Sequence, residues 1–190
     1  SLRAIEAEAR RMAEVVNDLL FLAEIESGEL LRQEPVALKD IVLGEVERFQ
    51  PVARHHRIAV GRLEDLSING DSQRLRRMLG NLIDNAVRYN VKNGEVRILI
   101  ERQPNQPLVK ISIRDTGIGI PKEELNRLFT KFYRGSGVNV APNGSGLGLY
   151  ITKNIIQAHG GSVTVDSAPG RGSVFSFTLP LKQQKVAPHI

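Results

Sequence analysis

The stretch NLIDNAVRYN, residues 81–90, constrains this chain more than any other. Asn81, Asn85 and Tyr89 recur every four residues, so on a helix they share one stripe. Leu82, Ile83, Ala86 and Val87 lie alongside and give that helix an apolar face to lay on a core. Asparagine is an indifferent helix former. Two of them on one stripe, ahead of the cation Arg88, point to a site that needs neutral oxygen ligands beside an anion. Magnesium on a nucleotide fits, because this hard ion takes one or two protein oxygens and completes its shell with phosphates and water. The plain alternative, two solvated surface amides, is weighed against by the glycine-bearing stretches downstream.

The first of these, RDTGIGIP (114–121), places an acid at the end of a strand and follows it with Gly117 and Gly119, which allow approaches that a β-carbon forbids. Asp115 can accept a hydrogen bond from an exocyclic amine such as adenine N6. The second, NGSGLGLYITKNIIQAHGG (143–161), runs Gly144, Gly146 and Gly148 into an apolar-periodic helix, so free backbone N–H groups and the positive helix end face a phosphate. It is neither a Walker loop, since no Lys-Ser or Lys-Thr follows the glycines, nor a dinucleotide fingerprint. Between the two, LFTKFYRGSGVNVAPNGSG (128–146) passes from an apolar-aromatic cluster into Gly, Asn, Ser and Pro without periodicity, a composition suited to a lid. Phe129 and Phe132 are expected to anchor its base, and Arg134, with Lys131, to reach phosphates.

The chain opens in a helix. Leu2, Ile5, Ala9, Met12, Val16, Leu19 and Ala23 alternate three and four apart, the seam of a helix that packs on another long helix. Glu6, Glu8, Arg10, Arg11 and Glu14 form its wet face. Gly28 suits a helix stop and Pro35 rules out simple continuation, so a boundary is expected at about residues 27–35. From there the pattern is α/β. Residues 36–57 read as a helix that Pro51 kinks or ends early. Strands follow at 58–63 and 66–70, Asp71 or Ser72 caps the amide helix, 95–101 and 108–115 form a hairpin, 121–129 a Pro-led helix, and 161–167 with 172–180 a closing hairpin.

With 190 residues the chain has enough material for one packed domain and an appendage. It has no Cys, which excludes disulfides and thiolate metal sites and is compatible with a reducing compartment. No apolar run approaches the ~18 residues of a membrane span, so no membrane contact is expected. The net charge of +5 is dispersed, with few aromatics interleaved, which argues against nucleic-acid binding.

In their order, NLIDNAVRYN, DTGIGI, LFTKFYRG, GSGLGLYI and GRGSVF resemble the N, G1, F, G2 and G3 boxes of the sensor histidine kinase catalytic domain. The opening helix resembles the second helix of that family's dimerisation and phosphotransfer hairpin. The resemblance implies a Bergerat-type α/β two-layer sandwich, a mixed and mostly antiparallel sheet with helices on one face, preceded by one long heptad helix. It divides the chain into 1–30 (truncated hairpin), 31–182 (catalytic ATP-binding domain) and 183–190 (tail). It further implies ATP between the amide helix and the lid, with Asn85 ligating Mg²⁺, Asn81 supporting the phosphate side, Arg88 facing phosphates, Tyr89 flanking the adenine and Asp115 reading its amine. Gly117, Gly119, Ile120, Arg134, Gly144, Gly146, Leu147 and Gly148 would shape the pocket and lid. The partners implied are a response-regulator receiver domain and a homodimer through the hairpin. The location implied for this piece is cytoplasmic, on a full-length protein anchored in the bacterial inner membrane.

The chain departs from that pattern in lacking a phosphoacceptor box. His55 and His56 follow Pro51, His159 sits at a helix end and His189 in the tail, all places that suit structural or solvated histidines. A fragment unable to phosphorylate itself is therefore expected. Two relatives of the same superfold are alternatives. ATPases such as gyrase or chaperones carry a general-base Glu where this chain has Asn81, which shifts the chemistry towards transfer onto a nucleophile from elsewhere. The anti-sigma serine kinases lack a heptad helix ahead of the domain.

Overall fold

The computed structural model describes residues 2–27, 31–53, 55–135 and 144–182. The amide stretch lies, as its periodicity predicts, on a 17-residue helix α3 (Ser72–Arg88). Leu75, Met78, Leu79, Leu82, Ile83 and Ala86, spaced three and four apart, are its buried face. Its start is fixed by Asp71, whose carboxylate accepts the N–H groups of Gln73 (3.1 Å) and Arg74 (3.0 Å), two of the donors that a helix start leaves without partners.

Helix α3 lies over a five-stranded sheet of order β2-β4-β5-β7-β6, built from β2 (Arg57–Leu63), β4 (Glu95–Arg102), β5 (Leu108–Asp115), β6 (Ser162–Ser167) and β7 (Ser173–Pro180). Only β2 and β4 run parallel; the other three pairings are antiparallel. Alternation decides the faces. Val96, Ile98 and Ile100, Val109, Ile111 and Ile113, and Phe175, Phe177 and Leu179 all turn inward, in a register that sets Ile98 opposite Ile113 and Ile111 opposite Phe177. Helices α2 (Leu38–Phe49), α3 and α5 (Gly148–Ala158) cover that face. The opposite face is polar, with the Ser112 and Ser176 hydroxyls joined at 3.0 Å. The mixed two-layer α/β expectation is met.

The segment expected to be one helix over 36–57 is a strand and a helix. Residues Glu34–Ala37 form β1, which pairs antiparallel with β3 (Ser67–Gly70) in a second, two-stranded sheet, and α2 begins only at Leu38. Burial of Val36 between exposed Pro35 and half-buried Ala37 is strand-like alternation too short to register against the helical period that follows. Helix α2 stops at Phe49, two residues before Pro51. The helix expected over 121–129 is a single turn, α4 (Lys122–Leu125), with Pro121 preceding it as the N-cap rather than inside its first turn. Beyond it the backbone continues in three-residue turns, Arg127 to Glu124 and Leu128 to Leu125, which bury Leu128.

The opening helix α1 (Leu2–Glu26) is present, and its two long sides behave differently. Seam residues Ile5, Met12, Val16 and Leu19 are exposed, Ile5 to 70%. Leu22, off the seam, is buried, and Phe21 and Ile25 pack partly against the same core, so the last turns of α1 lie against the catalytic body beside α5. The Gly28 stop falls outside the described residues, as does the middle of the lid, 136–143.

Candidate functional site

A cleft of about 920 Å³ opens between α3, the β5–α4 connection and the loop entering α5. Asn81, Asp84, Asn85, Arg88 and Tyr89 line it from α3 and its end, Asp115, Gly119 and Ile120 from the strand side, and Arg134, Gly144, Gly146 and Gly148 from the lid and glycine loop. Two predicted residues are near it without lining it. Leu147 is fully buried in the core, and Gly117 acts through its N–H, which donates to Asp115 Oδ1 at 2.8 Å.

Asp115 is the electrostatic centre of the strand side. It is buried, its Oδ1 accepts from Gly117 N and Ser173 N (3.1 Å), and its second oxygen has no donor among the described residues. Burial pushes its carboxyl above the usual range, against the two backbone hydrogen bonds that pull it down. A buried acid with one uncommitted oxygen matches a ligand that brings its own donor.

The glycines beside it are required by crowding. A β-carbon on Gly117 would fall 2.3 Å from the Tyr89 carbonyl oxygen, and one on Gly119 (φ +71°) 1.9 Å from that of Ala168. The close passage of this loop over the end of α3 is what brings Asp115 and Tyr89 into one cleft.

On the α3 side, the Asn81 side chain donates to the Gly148 carbonyl at 3.2 Å, joining the amide helix to the first residue of α5. Asn85, one turn on, lines the cleft with its side chain unengaged by any described residue. Arg88 pairs with Asp84 at 2.8 Å, the i,i+4 pair its spacing predicts, and stays on the cleft wall. Lys131 is turned away from phosphate chemistry: it pairs with Glu26 of α1 and lies 5.1 Å from the Tyr150 ring. Phe129 packs against the core as expected, but Phe132 is 61% exposed in a left-handed backbone conformation (φ 60°). Its main chain is pinned against Gly146 (φ +72°), where a β-carbon would come within 2.8 Å of it, and this turns the ring outward.

Sequence reasoning missed the contribution of α1. Glu14, Asn17 and Asp18 line the outer end of the cleft. Asp18 accepts from Arg77 of α3 (2.7 Å) and from the Ser145 hydroxyl of the glycine loop (2.9 Å), and Phe21 lies under the Arg77 guanidinium at 4.0 Å. The glycine spacing drew attention past Ser145, and nothing in the heptad pattern marks Asp18, which lies off the seam.

Residues 70–183 match the family described as histidine kinase-, DNA gyrase B-, and HSP90-like ATPase. The sensor histidine kinase WalK of Bacillus subtilis (strain 168) is 34% identical over 97% of this chain and 31% of its own. The full-length structure of ShkA in complex with AMPPNP superimposes with a TM-score of 0.81 at 28% identity, covering 94% of this chain and 38% of that one. Histidine kinase ThkA in complex with response regulator protein TrrA gives 0.71 at 25% identity over 96% and 51%. The chain thus spans about a third of the length of the curated relative WalK. The amide helix, the glycine-flanked acid and the glycine loop around one cleft fall within the matched region, and the chain belongs to the histidine kinase-, DNA gyrase B- and HSP90-like ATPase family.

Proposed function

We propose that this chain is the ATP-binding catalytic core of a sensor histidine kinase, transferring the γ-phosphoryl group of Mg-ATP to a histidine on a hairpin helix outside these 190 residues, for passage to a response-regulator aspartate. The observation that carries it is the convergence on one cleft of Asn85, whose side chain no described residue engages, and Asp115, buried with one oxygen that receives no donor among the described residues. Asn85 supplies a neutral oxygen suited to Mg²⁺, and Asp115 an acceptor suited to the adenine amine. Gly144, Gly146 and Gly148 add no side chains of their own at the entry to α5, whose N-cap residue Leu147 makes no side-chain cap hydrogen bond. When bound, Mg²⁺ would neutralise charge that develops on the transferring phosphoryl group.

Asn81 separates this reading from the ATPase alternative. Its side chain is an amide that donates to Gly148, so it cannot take a proton from water. The described histidines are not placed as acceptors. His159 is buried at the far end of α5 and committed to two hydrogen bonds, while His55 and His56 lie in the turn before β2; His189 falls outside the described residues. The domain division proposed is 1–30, 31–182 and 183–190, with the exposed seam of α1 packing on its hairpin partner in a homodimer. Response-regulator binding is supported by the likeness to the ThkA and TrrA complex, and cytoplasmic placement of this piece by the family. No described helix is long and apolar enough to cross a membrane.

Calorimetry with Mg-ATP tests the site: Asn85→Ala should abolish the magnesium-dependent part of the affinity while leaving the fold intact, and equal affinities with and without the substitution would remove Asn85 from the metal. Incubation with γ-labelled ATP tests the chemistry. The chain alone should stay unlabelled. The cognate hairpin added in trans should acquire acid-labile, base-stable label, as a phosphoramidate does, whereas rapid phosphate release without an acceptor would favour the ATPase alternative.

A further inference from the structure

The Asp18 carboxylate is held as a bound anion would be. Its Oδ1 receives the Arg77 guanidinium at 2.7 Å, and its Oδ2 receives the Ser145 hydroxyl at 2.9 Å. The two donors come from the two walls of the nucleotide cleft, and both line it. Arg77 stands one helical turn before Asn81, on the stripe that carries Asn81 and Asn85. Ser145 accepts the Leu147 N–H on its own oxygen (3.2 Å), which leaves its proton to point at the anion. The Phe21 ring under the guanidinium, at 4.0 Å, limits where Arg77 can swing.

We propose that Arg77 and Ser145 form a seat for the terminal phosphate of ATP, and that the Asp18 carboxylate of α1 occupies that seat as its stand-in. The proposal rests on the Mg-ATP reading above and adds two residues to its phosphate end. Carboxylate and phosphate oxygens present the same acceptor geometry to a guanidinium fork, so one can replace the other without rebuilding the site. A second negative group cannot share the seat with Asp18 at this spacing without repulsion. The last turns of α1 therefore compete with a triphosphate for the same donors, and the adenosine end of the cleft, around Asp115 and Tyr89, is left out of that competition. The position of α1 on the catalytic body becomes a term in the affinity for ATP but not in that for ADP.

Calorimetric titrations of the 190-residue chain with a magnesium-loaded, non-hydrolysable ATP analogue and with ADP distinguish this from a merely structural ion pair. Arg77→Gln should weaken the triphosphate by about ten-fold, the worth of one charge-assisted hydrogen bond, and leave ADP nearly unchanged. Asp18→Asn should tighten the triphosphate by several-fold and leave ADP unchanged, while lowering the melting temperature because the bridge is lost. A bridge with only a structural role would lower the melting temperature without separating the triphosphate from the diphosphate, since removing an acid from the cleft favours every anion there. Equal losses for both nucleotides in Arg77→Gln, or no tightening in Asp18→Asn, would overturn the seat while leaving the Mg-ATP reading in place. Failure of the unsubstituted chain to bind either nucleotide would overturn the reading and the seat with it.

Discussion

Helices α3 and α5 lie side by side with opposite polarity, and their two ends are built to different standards. At the end remote from the cleft the buried polar groups, Asp71 and His159, are partnered. Asp71 caps α3, and its own N–H donates to His159 Nε2 at 3.0 Å. The His159 Nδ1–H donates to Ile155 O at 2.7 Å, which fixes the tautomer of the ring. At the cleft end, α5 begins without a side-chain cap, Asp115 is held as a buried acid and Asn85 has no side-chain partner among the described residues; one turn into α5 the buried Thr152 hydroxyl finds none among them either. Packing alone does not explain this contrast, since both ends are covered by the same sheet. Uncompensated polar groups cost stability; the fully buried examples among the described residues are the Thr152 hydroxyl and His56 Nδ1, in the turn before β2, whereas Asn85 and the second Asp115 oxygen face the cleft, where a ligand would supply the missing partners.

The largest effect that tests the contrast comes from the remote end. Gly70 closes β3 directly under the His159 ring, and a β-carbon there would lie 2.6 Å from it. The ring is buried and hydrogen-bonded on both nitrogens, so it cannot step aside. Gly70→Ala should cost about 1–3 kcal/mol, the usual range for overpacking a filled site, measured by denaturant unfolding. Nucleotide affinity in the folded fraction should be unchanged. A large loss of affinity would show that the two ends are not independent.

A smaller, pH-dependent effect follows from the same ring. Burial lowers the His159 pKa below 6.5, with the nearby Arg74 acting in the same direction and Asp71 and the Ile155 carbonyl opposing. The unfolded chain therefore binds a proton at higher pH than the folded one. The stabilisation by neutral His159 is complete above about pH 6.5 and is lost as pH falls from there through the lower folded value. Protonation also converts Nε2 from the acceptor of Asp71 N–H into a second donor. Unfolding measured from pH 8 to 5 should show this decline, and His159→Gln should flatten it. An unchanged profile in that variant would assign the decline to other groups.

The chain's pattern showed the remote end and the cleft end unequally. Hydrophobic periodicity of 3.6 in 72–88 and of 2 in 95–101 and 108–115 was enough to place α3, β4 and β5, because long elements on one core carry their period openly. The strand at 34–37 was not legible, since four residues hold too few alternations to outweigh the helix that follows. Asn81, Asn85 and Asp115 were legible as a site because their residue types are poor choices for plain structure. Arg77, Ser145 and Asp18 were not, because the contact joining them spans 59 residues in one bond and 127 in the other, and each residue type is ordinary where it stands. The docking of α1 by Phe21, Leu22 and Ile25 was hidden behind the more regular seam on its other side.

The smallest effect is the one that bears most directly on the cleft end. Thr152 stands four residues after Gly148 on α5, the position from which a threonine hydroxyl ordinarily bonds the carbonyl one turn back. That carbonyl already accepts the Asn81 side chain at 3.2 Å, and the Thr152 hydroxyl, fully buried, is left without a partner among the described residues. Valine has the same branched shape and no hydroxyl. Thr152→Val should therefore raise stability by about 1 kcal/mol, the cost of a buried polar group left unpaired, read as a melting temperature higher by about 2–4 °C in a domain of this size. The sign matters more than the size: removal of a hydrogen-bonding group at the remote end is expected to destabilise the fold, whereas at the cleft end it is expected to stabilise it. A lower melting temperature for Thr152→Val would mean that this hydroxyl is satisfied in solution and that the two ends of the helix pair do not differ in the way their hydrogen bonds indicate.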